Sequence, residues 1–252
     1  MKKILLTNDD GISAEGITTL AKVLQDNYDV TIVAPDRERS ASSQSLTLHT
    51  PLRLKKIDKK VFSVDGTPTD CVNLATNVIE NGNDFDLVIS GINKGQNMGE
   101  DVLYSGTVAA AIEAMNLGYP AISVSLTDPQ ANFYECAKMI NKILEKNLFK
   151  IVTNKTILNI NIPPLPLDQI QGIKVTKLGH RIYDDFIQKR VDPRGKSYYW
   201  IGGEAPQWQG DKNTDVHAIR NKFVSITPIT IDMTNYDYFP TVTKWVKEHF
   251  NN

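Results

Sequence analysis

The chain has 252 residues, with 28 Lys and Arg against 29 Asp and Glu for a net charge of -1, a balance that argues against a binder of nucleic-acid polymers. Hydrophobic residues make up 41% and charged residues 23%, globular proportions that leave little room for extended disorder and suffice for one large domain. Apolar runs such as Val108 to Ile112 fall far short of the ~20 residues of a membrane span. Only Ile4 to Leu6 follow Lys2 and Lys3 before Asp9 and Asp10, too little for a signal-peptide core, so the chain reads as not exported. Cys71 and Cys136 are isolated, and His49, His180, His217 and His249 are scattered. This pattern fits a reducing cytoplasm and speaks against a zinc centre.

In chain order, Lys3 to Thr7 and Asp29 to Ala34 read as buried strands. Between them Ile17, Leu20, Ala21 and Leu24 share one face of a helix. The same period predicts helices carrying Val72, Ala75, Val78 and Ile79, then Val108, Ala111, Ile112 and Met115, then Phe133, Ala137, Ile140 and Leu144. Strand-like runs at Asp86 to Ser90, Ala121 to Leu126 and Thr156 to Ile162 separate them. Such alternation predicts an α/β fold, a mainly parallel sheet with helices on both faces. Ser45 to Ile57 and Val61 to Val64 interrupt it as paired strands, with a charged run from Lys55 to Lys60 read as a solvated turn. Thr67, Pro68 and Asp70 form a capping-box start for the helix that follows.

Beyond Ile162 the character changes. Ile173 to Leu178 and Phe223 to Ile229 read as strands, and His180 to Ala218 is polar and aromatic without helical period. So long a stretch without its own core is expected to pack on something else. Pro240 opens a last helix with Val242, Trp245, Val246 and Phe250 on one face. The simplest organisation is one domain over 1–252, with a core at about 1–162 and an elaborated C-terminal part at about 163–252.

In an open parallel sheet, ligands bind beyond the carboxyl ends of the strands. The loop after the first strand is Thr7-Asn8-Asp9-Asp10-Gly11. One Asp there reads as a helix cap, but two adjacent carboxylates repel unless a cation sits between them. After the second strand, Ser40 in a Ser-rich loop lies within reach of that pair, and Arg37 and Arg39 read as partners of Asp36 and Glu38 in preference to contacts for an anion. The loop Ser90 to Gly99 carries Asn93 as an amide-oxygen donor and Lys94 as a group that could face a phosphate; a ligand-free glycine-rich turn is the alternative. Tyr104-Ser105-Gly106-Thr107 precedes a helix, where Ser105 is an N-cap and the free N–H groups make an anion site. An all-oxygen donor set selects Mg²⁺ or Mn²⁺, and such an ion beside an anion site suits phosphate-ester hydrolysis.

These stretches together resemble the SurE family: KILLTNDDG from Lys3, VAPDR from Val33, SGINKGQNMG from Ser90 and YSGTVAAA from Tyr104. The likeness extends to DGTPTDCV from Asp65, DPRGKSYYWIG from Asp192 and TDVHA from Thr214, and so spans nearly the whole chain. It implies a Rossmann-like core and a metal-dependent phosphatase acting on nucleoside 5'-monophosphates, often 3'-monophosphates, and in some members short polyphosphate. Carried over by motif, Asp9, Asp10, Ser40 and Asn93 are the implied ligands of one divalent ion per subunit. Asn97, Ser105, Gly106 and Thr107 are implied to line the phosphate side. A homodimer, sometimes paired into a tetramer with C-terminal segments exchanged between subunits, is implied as well.

Two rivals fit less well. A haloacid-dehalogenase-type phosphatase needs Asp-x-Asp after the first strand, whereas Asp9 is followed by Asp10 and Gly11. A phospho-receiver signalling module also holds Mg²⁺ with paired acids, yet it needs a phosphate-accepting Asp where this chain has Ser90, and about half this length. With no His or Cys nucleophile in these loops, the expected reaction is in-line attack by water, with Asp9 or Asp10 orienting or deprotonating it. Base preference is not legible, because Tyr104, Tyr198, Tyr199 and Trp200 could stack on a base or simply pack.

Overall fold

The computed structural model describes residues 1–79, 85–128, 130, 132–182, 186–202 and 207–250. Apolar alternation builds the centre of the sheet. In β1 (Lys3–Thr7), Ile4 and Leu6 face one core cluster while Leu5 faces another, as the period of two along a strand requires. In β5 (Leu87–Lys94), Leu87 and Ile89 join the first cluster and Val88 the second. Helices α1 (Glu15–Leu24) and α4 (Phe133–Glu145) cover the first side. Helices α2 (Pro68–Asn77) and α3 (Gly106–Asn116) cover the second. The expected sheet with helices on both faces is therefore present.

Nine strands form this sheet, in the order β3-β4-β2-β1-β5-β6-β7-β13-β8. Its further members are β2 (Asp29–Pro35), β3 (Leu54–Asp58), β4 (Val61–Val64), β6 (Ala121–Leu126), β7 (Ile157–Ile162), β8 (Gly172–Val175) and β13 (Phe223–Ile229). From β4 across to β7 all pairings are parallel, while β3 runs antiparallel to β4 and β13 antiparallel to β7. The chain passes from β1 to β2 on one side and later returns to β5 on the other. A crevice opens where strand order reverses in this way.

Several expectations need correction. The strand proposed for Ser45 to Ile57 is confined to β3, because 45–53 hangs on the start of α2 instead of pairing in the sheet. There the Thr47 N–H and hydroxyl donate to Asp70 at 2.9 and 2.6 Å, and Thr67 Oγ1 donates to Ser45 O at 2.7 Å. The stretch from His180 to Ala218 holds β9 (His180–Ile182), β10 (Phe186–Val191), β11 (Ser197–Gly202) and β12 (Gln207–Gln209) as two small antiparallel pairs. It also holds the start of a short helix, α5 (Asp215–Arg220), capped by Thr214. Six residues are too few to show a helical period. The final helix, α6 (Phe239–Phe250), forms where expected, but none of its residues is buried.

Candidate active site

Asn8 closes the loop after β1 by donating to Gly11 O at 3.0 Å and accepting from Gly11 N at 3.2 Å. That turn presents Asp9 and Asp10 at the crevice between β1 and β5. Neither caps the next helix, since the N-cap of α1 is Ala14. Asp9 is 5% exposed, and Thr107 Oγ1, itself fully buried, donates to its Oδ1 in a short hydrogen bond. Asp10 accepts from the Lys94 N–H at 3.1 Å. Burial pushes the Asp9 carboxyl up from 3.8 to about 6; the Thr107 bond pulls it down and the negative Asp10 adds to the rise. Burial likewise raises Asp10, against the Lys94 N–H, with Glu38 adding to the rise.

A cleft of about 750 Å³ opens over this pair, and Ser40, Asn93, Asn97 and Ser105 line it together with both carboxylates. Ser40 Oγ donates to Glu38 Oε1 at 2.6 Å, and Asn93 Nδ2 donates to Gly95 O at 2.8 Å. Ser105 caps α3 by accepting from Val108 N at 3.1 Å. Gly106 allows this close approach, since a Cβ there would lie 2.9 Å from Asp9 Cβ. Thr107, expected on the phosphate side, instead spends its hydroxyl on Asp9. Arg37 and Arg39 both approach Asp36, at 3.9 and 3.8 Å, as the pairing of that loop anticipated.

The residues present fit a hard divalent cation. A buried carboxylate, Asp9, and a half-buried one, Asp10, stand together, and among the described residues no cationic side chain forms a salt bridge with either. Nor do any three His, Cys, Asp or Glu side chains cluster among the described residues, so a full donor set draws on hydroxyl and amide oxygens, the preference of Mg²⁺ or Mn²⁺.

Sequence reasoning missed what holds the far wall of the cleft. Asn161 Oδ1 accepts from Asn97 N at 2.9 Å, while Asn159 and Asn161 both donate to Asn97 O, at 2.8 and 2.9 Å. Asn97 Nδ2 in turn donates to Ser125 Oγ at 2.9 Å. Strands β6 and β7 thus fix Asn97 through buried polar side chains, visible in sequence only as Asn and Ser inside apolar runs. Arg181 also lines the cleft, bonded to Asp101 Oδ1 at 2.5 Å with its guanidinium 5.8 Å from the Trp208 ring centre. Its arrival depends on β9 pairing with β12, which leaves no local signal.

The family model described as survival protein SurE matches residues 4–185. A 5'-nucleotidase SurE from Mannheimia succiniciproducens is 49% identical over 97% of this chain and 98% of its own length. The corresponding protein from Carboxydothermus hydrogenoformans is 47% identical over 97% and 96%. The crystal structure of the SurE protein from Aquifex aeolicus superposes with a TM-score of 0.86 at 42% identity, covering 96% of this chain and 99% of that one. With its fold and its ordered motifs matched from end to end, the chain belongs to the SurE family.

Proposed function

We propose that the protein is a 5'-nucleotidase, a phosphomonoesterase that cleaves nucleoside 5'-monophosphates to nucleoside and inorganic phosphate. Nucleoside 3'-monophosphates and short polyphosphate are its secondary substrates. The observation that carries this reading is one cleft in which a buried and a half-buried carboxylate, Asp9 and Asp10, meet the N-terminus of α3. The activity in the names of the full-length relatives supports it.

Asp9, Asp10, Ser40 and Asn93 would hold one Mg²⁺ or Mn²⁺ per chain, which when bound neutralises phosphoryl charge and acidifies water. Thr107 holds the Asp9 carboxylate in one orientation, and the Lys94 N–H does the same for Asp10. Either carboxylate can take the proton of the attacking water. The Ser105 hydroxyl, the N–H of Gly106 at the N-terminus of α3, and Asn97 would receive the phosphoryl oxygens as the bond to the leaving group breaks. No His or Cys lines the cleft among the described residues, which supports direct attack by water over a covalent route through either side chain.

Phosphate release from 5'- and 3'-nucleoside monophosphates and short polyphosphate, with Mn²⁺, with Mg²⁺ and with chelator, tests this reading. Many turnovers should occur with metal and cease with chelator, and Asp9→Asn should lose about a hundredfold or more. Equal release without metal would overturn the cation site, and a quench-trapped phosphoenzyme would overturn direct attack.

The proposal extends to assembly. The chain acts as one domain over 1–252 whose C-terminal part, about 163–252, forms a homodimer by exchange between subunits, with a tetramer as the pair of dimers. The exposed apolar face of α6 supports this. A cytoplasmic location accords with two free, buried thiols at Cys71 and Cys136, and no described helix is long and apolar enough to cross a membrane.

A further inference from the structure

Asp215 belongs to none of the residues assigned above, yet it is a fully buried carboxylate. It sits at the first position of α5, just after the Thr214 cap. Its two oxygens divide their work. Oδ1 accepts from Gly179 N at 2.8 Å and from Val216 N at 2.7 Å. Oδ2 accepts from Gly99 N at 3.0 Å, across 116 residues of sequence. Gly99 ends the loop that carries Asn93 and Asn97, and its backbone is left-handed, with φ +51°. A Cβ there would lie 2.9 Å from Gly179 O. The loop is therefore tied at Asn97 to β6 and β7, and two residues later to the C-terminal part through Asp215 Oδ2, with Glu100 and Asp101 meeting His180 and Arg181 just beyond it.

We propose that Asp215 is a positioning residue for substrate: through its Oδ2 bond to Gly99 it sets the placement of Asn97 and the cleft wall, independently of the carboxylates in the loop after β1. The inference rests on the reading of Asn97 as a phosphate contact.

Asp215→Asn isolates the link, because the amide keeps an oxygen for Gly179 and Val216 but turns an NH₂ group toward the Gly99 N–H, donor against donor. The variant should raise KM for a nucleoside 5'-monophosphate about tenfold. Its kcat and its Mn²⁺ affinity by calorimetry should stay within about twofold, as expected for a loss of uniform binding. Combined with Asn97→Ala, it should add less than about twofold to the KM of that single variant, since residues acting as a unit are not additive.

An unchanged KM in folded Asp215→Asn would overturn the proposal, as would an equal loss of Mn²⁺ affinity. If Asn97→Ala alone leaves KM unchanged while Asp215→Asn raises it, the reading of Asn97 fails and the placement of the wall by Asp215 stands. Should Asp215→Asn not fold, Gly99→Ala presses on the same joint from the other side. It is expected to raise KM with Mn²⁺ affinity retained, and a wild-type KM there would sink the idea.

Discussion

Asp9 shows how burial and a missing countercharge act in the same direction at one residue. A carboxyl raised from 3.8 to about 6 is held more comfortably neutral by the folded chain than by the unfolded one. Its contribution to stability is complete below 3.8 and is lost as pH rises through about 6. The shift corresponds to about 3 kcal/mol, a strain that a divalent cation relieves by favouring the ionised form. The gain in melting temperature on adding Mn²⁺ should thus be largest above pH 7, fall as pH drops through about 6, and vanish near pH 5. In Asp9→Asn the gain should shrink wherever the parent shows one, and calorimetric scans of both proteins with and without Mn²⁺ check this. A gain as large at pH 5 as at pH 7.5 would contradict it. The carboxylate pair itself was legible in sequence, because two adjacent acids after a buried strand have few structural uses. The job of Thr107 was not, since a hydroxyl beside an N-cap reads as an anion donor and its bond to Asp9 spans 98 residues. Asp215 was hidden for the same reason, its distant partners being backbone N–H groups that no side-chain pattern marks.

Among the elements, those that follow local rules match their sequence reading nearly residue for residue. Strands β1, β6 and β13 have the expected bounds, because each is a short apolar or β-branched run between turn residues. The start of α2 was equally readable: Thr67 accepts from Asp70 N at 3.1 Å and Asp70 Oδ2 accepts from Thr67 N at 2.9 Å, a reciprocal capping box. What sequence did not disclose is that Asp70 also anchors 45–53 through Thr47. Three donor contacts on one carboxylate that is 2% exposed make this element more sensitive than an ordinary helix start. Asp70→Ala loses the cap and strands the Thr47 groups, so it should cost about 2 to 3 kcal/mol in urea unfolding. Asp70→Asn, which keeps an acceptor, should lose about half as much. A loss below about 1 kcal/mol for Asp70→Ala would show that 45–53 is held by other contacts.

For the molecule as a whole, the two halves differ in how much of themselves they bury. Around β1 and β5, apolar side chains close two continuous clusters. At the C-terminal end the same kinds of residue stay in solvent, with Val242 47%, Trp245 52% and Phe250 70% exposed on one face of α6. Amphipathic period alone could locate that helix but not its partner, because the pattern says which face is apolar and nothing about what covers it. The proposed exchange between subunits would cover that face, and full burial is worth about 1.5 to 3 kcal/mol for each large side chain. Trp245→Glu places a charge at the centre of that face and should shift the protein from dimer or tetramer toward monomer in size-exclusion chromatography with light scattering. Asp9, Asp10, Ser40, Asn93, Asn97 and Ser105 all come from a single chain, so the monomer retains a whole cleft. Its kcat/KM should therefore stay within a few-fold of the parent. A wild-type protein that runs as a monomer would remove the premise of exchange between subunits. Loss of hydrolysis on monomerisation would instead mean that the C-terminal part, through Arg181 and the Gly99 joint, needs a neighbour to hold the cleft wall in place.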